Sequence, residues 1–124
     1  MTKQILLVGF GGFIGSAARY LLSGAMTKWF PFSFPLGTFV VNVTGCLLIG
    51  IIYGIASRFG WLTPEWKLFL ATGICGGFTT FSAFALEGFR LIETFEYWTF
   101  AGYVLLSVIF CLLAVFFGVS LSKI

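Results

Sequence analysis

The sequence predicts an all-α membrane protein, one domain over residues 1–124 built from four transmembrane helices, with the third helix broken at mid-membrane. Three observations carry that reading. Hydrophobic residues make up 60% of the chain and charged residues only 9%, against about a quarter charged in a soluble domain. Four apolar stretches, approximately 4–23, 36–57, 67–89 and 97–122, are each close to the ~20 residues that cross a hydrocarbon core. The run from Gly73 to Glu87, Gly-Ile-Cys-Gly-Gly-Phe-Thr-Thr-Phe-Ser-Ala-Phe-Ala-Leu-Glu, is apolar yet poorly suited to one continuous helix.

The first stretch begins near Gln4 and reaches about Ser23, with Arg19 interrupting its far end. Gly11 and Gly15 stand one helical turn apart and give it a small-residue face for close helix packing. Arg19 has two readings: it bonds carbonyls at the helix end or snorkels to the interface, or it supplies positive potential to an anion's path. Met26 to Pro35, with Lys28, Trp29 and two prolines, reads as an interfacial connection. Leu36 to Ala56 carries no charge. Thr38 and Asn42 share one face of it, and Gly50 and Gly54 repeat the small-residue spacing. Asn42 is open to two roles, interhelical glue or an N–H donor to an anion.

The second connection holds Arg58, Gly60, Trp61 and Pro64. Thr63 is placed to cap a helix with Pro64 at its first position and Glu65 in its first turn. The third stretch contains the break. Gly76 and Gly77 weaken a helix, and Thr79 and Thr80 follow with β-branched side chains able to bond the local backbone. Unwound backbone at membrane depth survives only when buried in protein or lining a wet cavity, so this stretch is the candidate site. The fourth, Tyr97 to Ser122, is uncharged and places Tyr103, Ser107 and Cys111 along one helix face.

Other chemistries lack their residues. Histidine is absent, and Cys46, Cys75 and Cys111 fall inside apolar stretches without a Cys-x-x-Cys pair, which reads as packing rather than zinc ligation or a disulfide framework. Phosphate-binding loops and nucleophile elbows are missing, so no enzyme is expected. The net charge of +3 is scattered rather than clustered, which disfavours nucleic acid as a partner.

The core Gly76-Gly77-Phe78-Thr79-Thr80-Phe81-Ser82-Ala83-Phe84, with Glu87 beyond it, resembles the signature of the Fluc/CrcB fluoride channels. Gly-Gly-Phe-Ile-Gly-Ser-Ala-Ala-Arg ending at Arg19, Gly37-Thr38 followed by Val41-Asn42, and Trp66-Lys67 extend the likeness over essentially the whole chain. The resemblance implies a fluoride-selective channel that passes the ion passively across the inner (plasma) membrane of a prokaryote and lowers cytoplasmic fluoride. Its implied pathway residues are Asn42, Phe81, Phe84, Ser82, Thr38, Tyr103 and Ser107, with Arg19 giving an electropositive vestibule. The resemblance further implies a structural sodium ion at the centre of a dimer, held by the backbone carbonyls of Gly76 and Thr79. Fluoride needs donors in place of its water, and ring edges of Phe81 and Phe84 are electropositive. Glu87 fits an interfacial or gating residue. Ala83 and Cys111 depart from the family pattern, where a hydroxyl is usual.

The competing expectation is a small multidrug-efflux, proton-coupled transporter. Members of that group resemble each other in an acidic residue within the first span, and this first span has Arg19 instead.

Four spans place both termini on one side. Lys3, Arg58, Lys67 and Lys123 belong to that side, and Arg19, Lys28 and Arg90 to the other, so positive charge barely orients the chain. A chain without bias inserts both ways, which permits a dual-topology antiparallel homodimer in the lipid bilayer, akin to the inverted repeats of larger transporters. Two or three lysines added to the termini are expected to force one insertion direction. Such a variant should be inactive alone and regain fluoride flux when paired with a chain forced the opposite way. Full flux from a single orientation would rule out the antiparallel dimer.

Overall fold

The computed structural model describes residues 1–60 and 62–123; Trp61 of the second connection lies outside them. Among the described residues, four spans are long and apolar enough to cross a membrane: Thr2–Trp29, Leu36–Arg58, Pro64–Glu93 and Tyr97–Leu121. The first two are continuous helices, α1 and α2. The third is a chain of pieces: α3 (Pro64–Lys67), a π-helical segment (Leu68–Cys75), α4 (Gly76–Phe78) and α5 (Phe81–Glu93). Tyr97–Leu121 forms α6. The described residues contain no strand.

Packing divides these elements into two pairs. α2 lies along α6, and α1 lies along the π segment and α4, while α5 rests on α6. Backbone contact sets both interfaces. A methyl at Gly11 would sit 2.6 Å from the Phe69 carbonyl, one at Gly77 would sit 2.6 Å from the Gly12 carbonyl, and one at Gly15 would collide with the Ile74 carbonyl. On the other pair, Gly50 abuts the Val115 carbonyl and Gly118 the Leu47 carbonyl. Lipid tails offer no hydrophobic drive between helices, so such close approach supplies the dispersion that holds them together. Large apolar side chains point outward, as Phe13 and Phe116 do at 72% exposure each, while Val41 and Tyr103 are fully buried between helices.

Helix ends follow local chemistry. Thr63 Oγ1 accepts from the Trp66 N–H at 3.4 Å, with Pro64 in the first turn of α3. α1 continues through Met26–Trp29, residues expected in the connection, because that tetrapeptide has no helix breaker and Pro31 is the first residue lacking an N–H. α5 ends with Phe95 at φ 62°, where the Glu96 N–H reaches back to the Leu91 carbonyl at 2.8 Å.

The break has a different cause from the one its glycines suggest. Gly76 is helical (φ −63°, ψ −39°), and the helix runs to Phe78. Thr79 and Thr80 are the extended residues, at ψ 156° and 122°. Gly77 serves approach to Gly12 rather than unwinding. The π segment leading into the break has no counterpart in the sequence reading, since hydrophobic periodicity does not separate one extra residue per turn over so short a run.

Gly15→Val is expected to cost at least the ~1–3 kcal/mol of overpacking, because its neighbours are backbone that cannot step aside. Gly24 has open space around its Cβ position, so Gly24→Ala should keep or slightly raise stability through better helix propensity. Thermal unfolding in detergent, followed by loss of the folded elution peak, separates the two. Equal stability of both variants would contradict the close packing of α1.

Candidate functional site at the break

Thr79 finishes the first half of the third span, its N–H and Oγ1 both donating to the Cys75 carbonyl at 3.0 and 2.9 Å. The next residue leaves the helical ladder. Thr80 N–H donates to Asn42 Oδ1 at 2.8 Å, and Asn42 Nδ2 donates back to the Thr80 carbonyl at 3.0 Å. An amide side chain here replaces a strand neighbour. Thr80 then caps α5 by accepting from the Ala83 N–H at 3.2 Å.

Those diversions have a consequence for two carbonyls. The Thr80 N–H would have closed a turn on the Gly76 carbonyl, and the Ala83 N–H on the Thr79 carbonyl. Both donors are spent elsewhere, which leaves the oxygens of Gly76 and Thr79 without their ladder partners. Between them, the Gly77 carbonyl is taken by Arg19 Nε at 3.0 Å, with Ser16 Oγ at 3.5 Å. Arg19 thus braces the break from α1.

A cavity of about 360 Å³ opens beside this backbone, walled by Asn42, Gly76, Thr79, Phe81, Phe84 and Ser107 among others. One of the two Asn42 amide hydrogens is committed to Thr80, which leaves the second for the cavity. Ser107 is 6% exposed and its Oγ has no hydrogen-bond partner among the described residues. Phe81 is 79% exposed on the outer face, its ring centroid 5.6 Å from that of Phe84.

Phe84 leads onward to Tyr103, whose ring lies 5.0 Å away at 47°. The Tyr103 hydroxyl donates to Glu87 Oε1 at 3.1 Å, and Thr38 is buried on α2 one turn before Asn42. Phe34 meets the Tyr103 ring edge-on at 5.3 Å and 84°. Beyond Tyr103 a second cavity of about 280 Å³ is walled by Phe34, Glu87, Arg90 and Thr94. The two cavities are therefore strung along one line from the break toward one end of the bundle, with Tyr103 between them.

Of the residues singled out from sequence, Asn42, Phe81, Phe84, Ser107, Gly76 and Thr79 meet at the first cavity. Thr38 and Tyr103 lie along the line. Ser82 is exposed, 3.3 Å from the Thr80 hydroxyl, and does not wall the cavity. Phe34, Arg90 and the Tyr103 partner of Glu87 escaped sequence reading. Phe34 sits between two prolines in a connection, outside any periodic pattern. Glu87 lies one turn after Phe84 on the same face of α5, a spacing that was legible.

A family model described as CrcB-like protein, Camphor Resistance (CrcB), matches residues 6–119. A protein of Leptospira interrogans named fluoride-specific ion channel FluC is 44% identical over 122 residues, covering 98% of this chain and 96% of the relative. One of the same name from Azobacteroides pseudotrichonymphae is 44% identical over 99% of this chain and 98% of its own length. Another from Campylobacter jejuni is 41% identical over 99% and 100%.

Removing the Asn42 amide is expected to free the Thr80 backbone at once on both its donor and acceptor sides. In Asn42→Ala, amide hydrogen exchange at Thr80 should quicken, and stability should drop by ~1–3 kcal/mol for each buried group left unpaired. Asn42→Asp keeps the acceptor and should protect the Thr80 N–H better than alanine does. Unchanged exchange at Thr80 in Asn42→Ala would show that another group holds the break.

Proposed function

This chain belongs to the CrcB-like family, and on that premise we propose that it is a fluoride-selective channel that lets fluoride run down its gradient across the membrane. The observation that carries the reading is the line of ring edges and hydroxyls from the break to the second cavity: Phe81, Phe84, Ser107, Tyr103, Thr38.

Fluoride is small and strongly hydrated, so a path through lipid must offer donors wherever water is stripped. The unpartnered Ser107 hydroxyl and the second Asn42 N–H are two such donors at the cavity. Phenyl edges are electropositive, and the tilted Phe81–Phe84 and Phe84–Tyr103 pairs put edge as well as face toward neighbours. Single edges are weak. Several in succession, with hydroxyls between them, suit an ion that must bind enough to enter and loosely enough to leave. At the outer cavity Arg90 adds a cation, and the Glu87 carboxylate is tied to Tyr103. An anion reaching Tyr103 competes with that carboxylate for one hydroxyl proton. Glu87 therefore acts as a gate on the line.

The cavity at the break is open on one flank in a single chain, and Phe81 stands exposed beside it. We infer that a second, inverted copy covers this flank to make an antiparallel homodimer. Gly76 and Thr79 suit a sodium ion there, since carbonyls without ladder donors are hard oxygen ligands, and two copies bring four. A bound cation would supply positive charge at the centre of the assembly.

Purified protein in liposomes should release fluoride on an electrode trace while retaining chloride. Comparable release of both ions would contradict the proposal. Phe84→Ile keeps bulk and removes the positive edge, so fluoride flux should fall by more than about tenfold, the change that ~1.4 kcal/mol represents. Phe117, 60% exposed and away from both cavities, should tolerate the same change with flux nearly intact. A folded Phe84→Ile conducting at the parent rate would remove ring-edge contact at that position.

A further inference from the structure

The line from the break past Tyr103 to Arg90 reaches one end of the bundle, and an ion that crosses a membrane needs a way out at the other. A further cavity of about 320 Å³ lies on that side. It is walled by Ile49, Ile52, Tyr53 and Ser57 of α2 and by Lys67 and Ala71 of the third span. Ile49 and Ala71 also wall the cavity at the break, so the two spaces adjoin. The groove between α2 and the third span exists because the π segment packs far more closely on α1, through Gly11 and Gly73, than on α2. Its far end lies where α2 finishes and α3 begins.

The lining decides what an anion does there. Ile49, Ile52 and Ala71 offer no donors in place of water, but the space has room for ~10 waters at ~30 Å³ each. An anion keeps its water in such a groove and sheds it at the break, where Asn42 and Ser107 hold donors. What the groove does supply is one charge at its outer end. Lys67 is the last residue of α3 and is exposed. Arg58, at the end of α2, does not wall the groove; it donates to the Ser122 carbonyl at 2.8 Å and stands 5.4 Å from the Phe59 ring centroid. Glu65 precedes Lys67 by two residues and so faces another side of α3. Arg19, the cation expected at a vestibule, donates to the Gly77 carbonyl at the break instead.

We propose that this groove is the second mouth of the ion path and that Lys67 is its attracting charge, which concentrates hydrated anions at the entrance without holding any one of them tightly. This role rests on the channel reading and adds to it an entrance and a residue. An exposed ammonium acts over the Debye length, which is about 30 Å in 0.01 M salt and about 3 Å in 1 M. Lys67 therefore governs how often anions arrive when salt is low, and leaves untouched the dehydrated steps at the break.

The test measures fluoride current in planar bilayers of neutral phosphatidylcholine, first at ~1 M fluoride, where unitary steps count the channels, and then at ~0.01 M in the same bilayer. Only assembled channels conduct, so current per channel does not depend on how much of a variant folds. Relative to the parent, Lys67→Gln should lose about threefold in current per channel at low fluoride and Lys67→Glu about tenfold, with both within about 1.5-fold at ~1 M. Lys67→Arg should match the parent at both concentrations. Lys123→Gln removes a charge at the same end but outside the groove, and should stay within about 1.5-fold of the parent throughout. Equal low-fluoride currents in parent and Lys67→Gln, as a groove filled by a lipid chain would give, would overturn the mouth. A loss of the same size at both concentrations, or one that arginine does not restore, would make Lys67 a structural residue and overturn its attracting role. Equal losses in Lys67→Gln and Lys123→Gln would assign the effect to surface charge at large and overturn the entrance. A parent that carries no fluoride current would strike the channel reading and this mouth together, whereas a conducting parent indifferent to Lys67 would strike the mouth alone.

Discussion

A backbone amide that leaves the helical ladder inside a membrane must find another partner, because lipid offers none and each unpaired group costs several kcal/mol. Asn42 meets that demand for Thr80 on both sides, accepting at 2.8 Å and donating at 3.0 Å. The rest of the site depends on this one side chain. With Thr80 held extended, α5 starts afresh with its own cap, and its first turn carries Phe81 and Phe84 to the cavity. Without it, both polar groups of the Thr80 backbone would be left unpaired, and the start of α5 would lose its fixed position.

The same exchange of partners sorts three neighbouring carbonyls into different fates. Gly77 is claimed by Arg19 from α1, and Gly76 and Thr79 on either side lose their donors. A cation-seeking pair of oxygens is thereby produced next to an anion-seeking row of ring edges and hydroxyls. The close contact of Gly77 with the Gly12 backbone makes the arrangement stiff, since α1 cannot come so near the break unless residue 77 lacks a Cβ. Full burial of Val41 on α2 and Tyr103 on α6 fixes the packing of those two helices.

Much of this is legible in the sequence. Apolar length and missing charge locate four spans, and the Gly-Gly-Phe-Thr-Thr run locates the break to a few residues. Its mechanism was legible only in part. Glycine's low helix propensity pointed to Gly76 and Gly77, yet both are helical: close contact with α1 uses the smallness of Gly77, while the threonines and Asn42 supply the turn. Asn42 read as glue or as an anion donor, and the structure spends one amide hydrogen on the first role and leaves one for the second. Phe34 and the Glu87–Tyr103 bond were out of reach, since they join a connection or α5 to α6 across the fold and leave no local pattern. The shared cavity wall of Cys46 and Cys111 is likewise a tertiary fact.

The most direct measurement is the carbonyl carbon resonance of Gly76, Gly77 and Thr79 in bilayers, with sodium and then with N-methylglucamine as the only cation. Carbonyls freed by the Asn42–Thr80 exchange should be open to sodium, so Gly76 and Thr79 should shift on removing it. Gly77, already bonded to Arg19, should stay where it is. Silence at Gly76 and Thr79, or an equal shift at all three, would contradict the claim that the break exists to release those two oxygens.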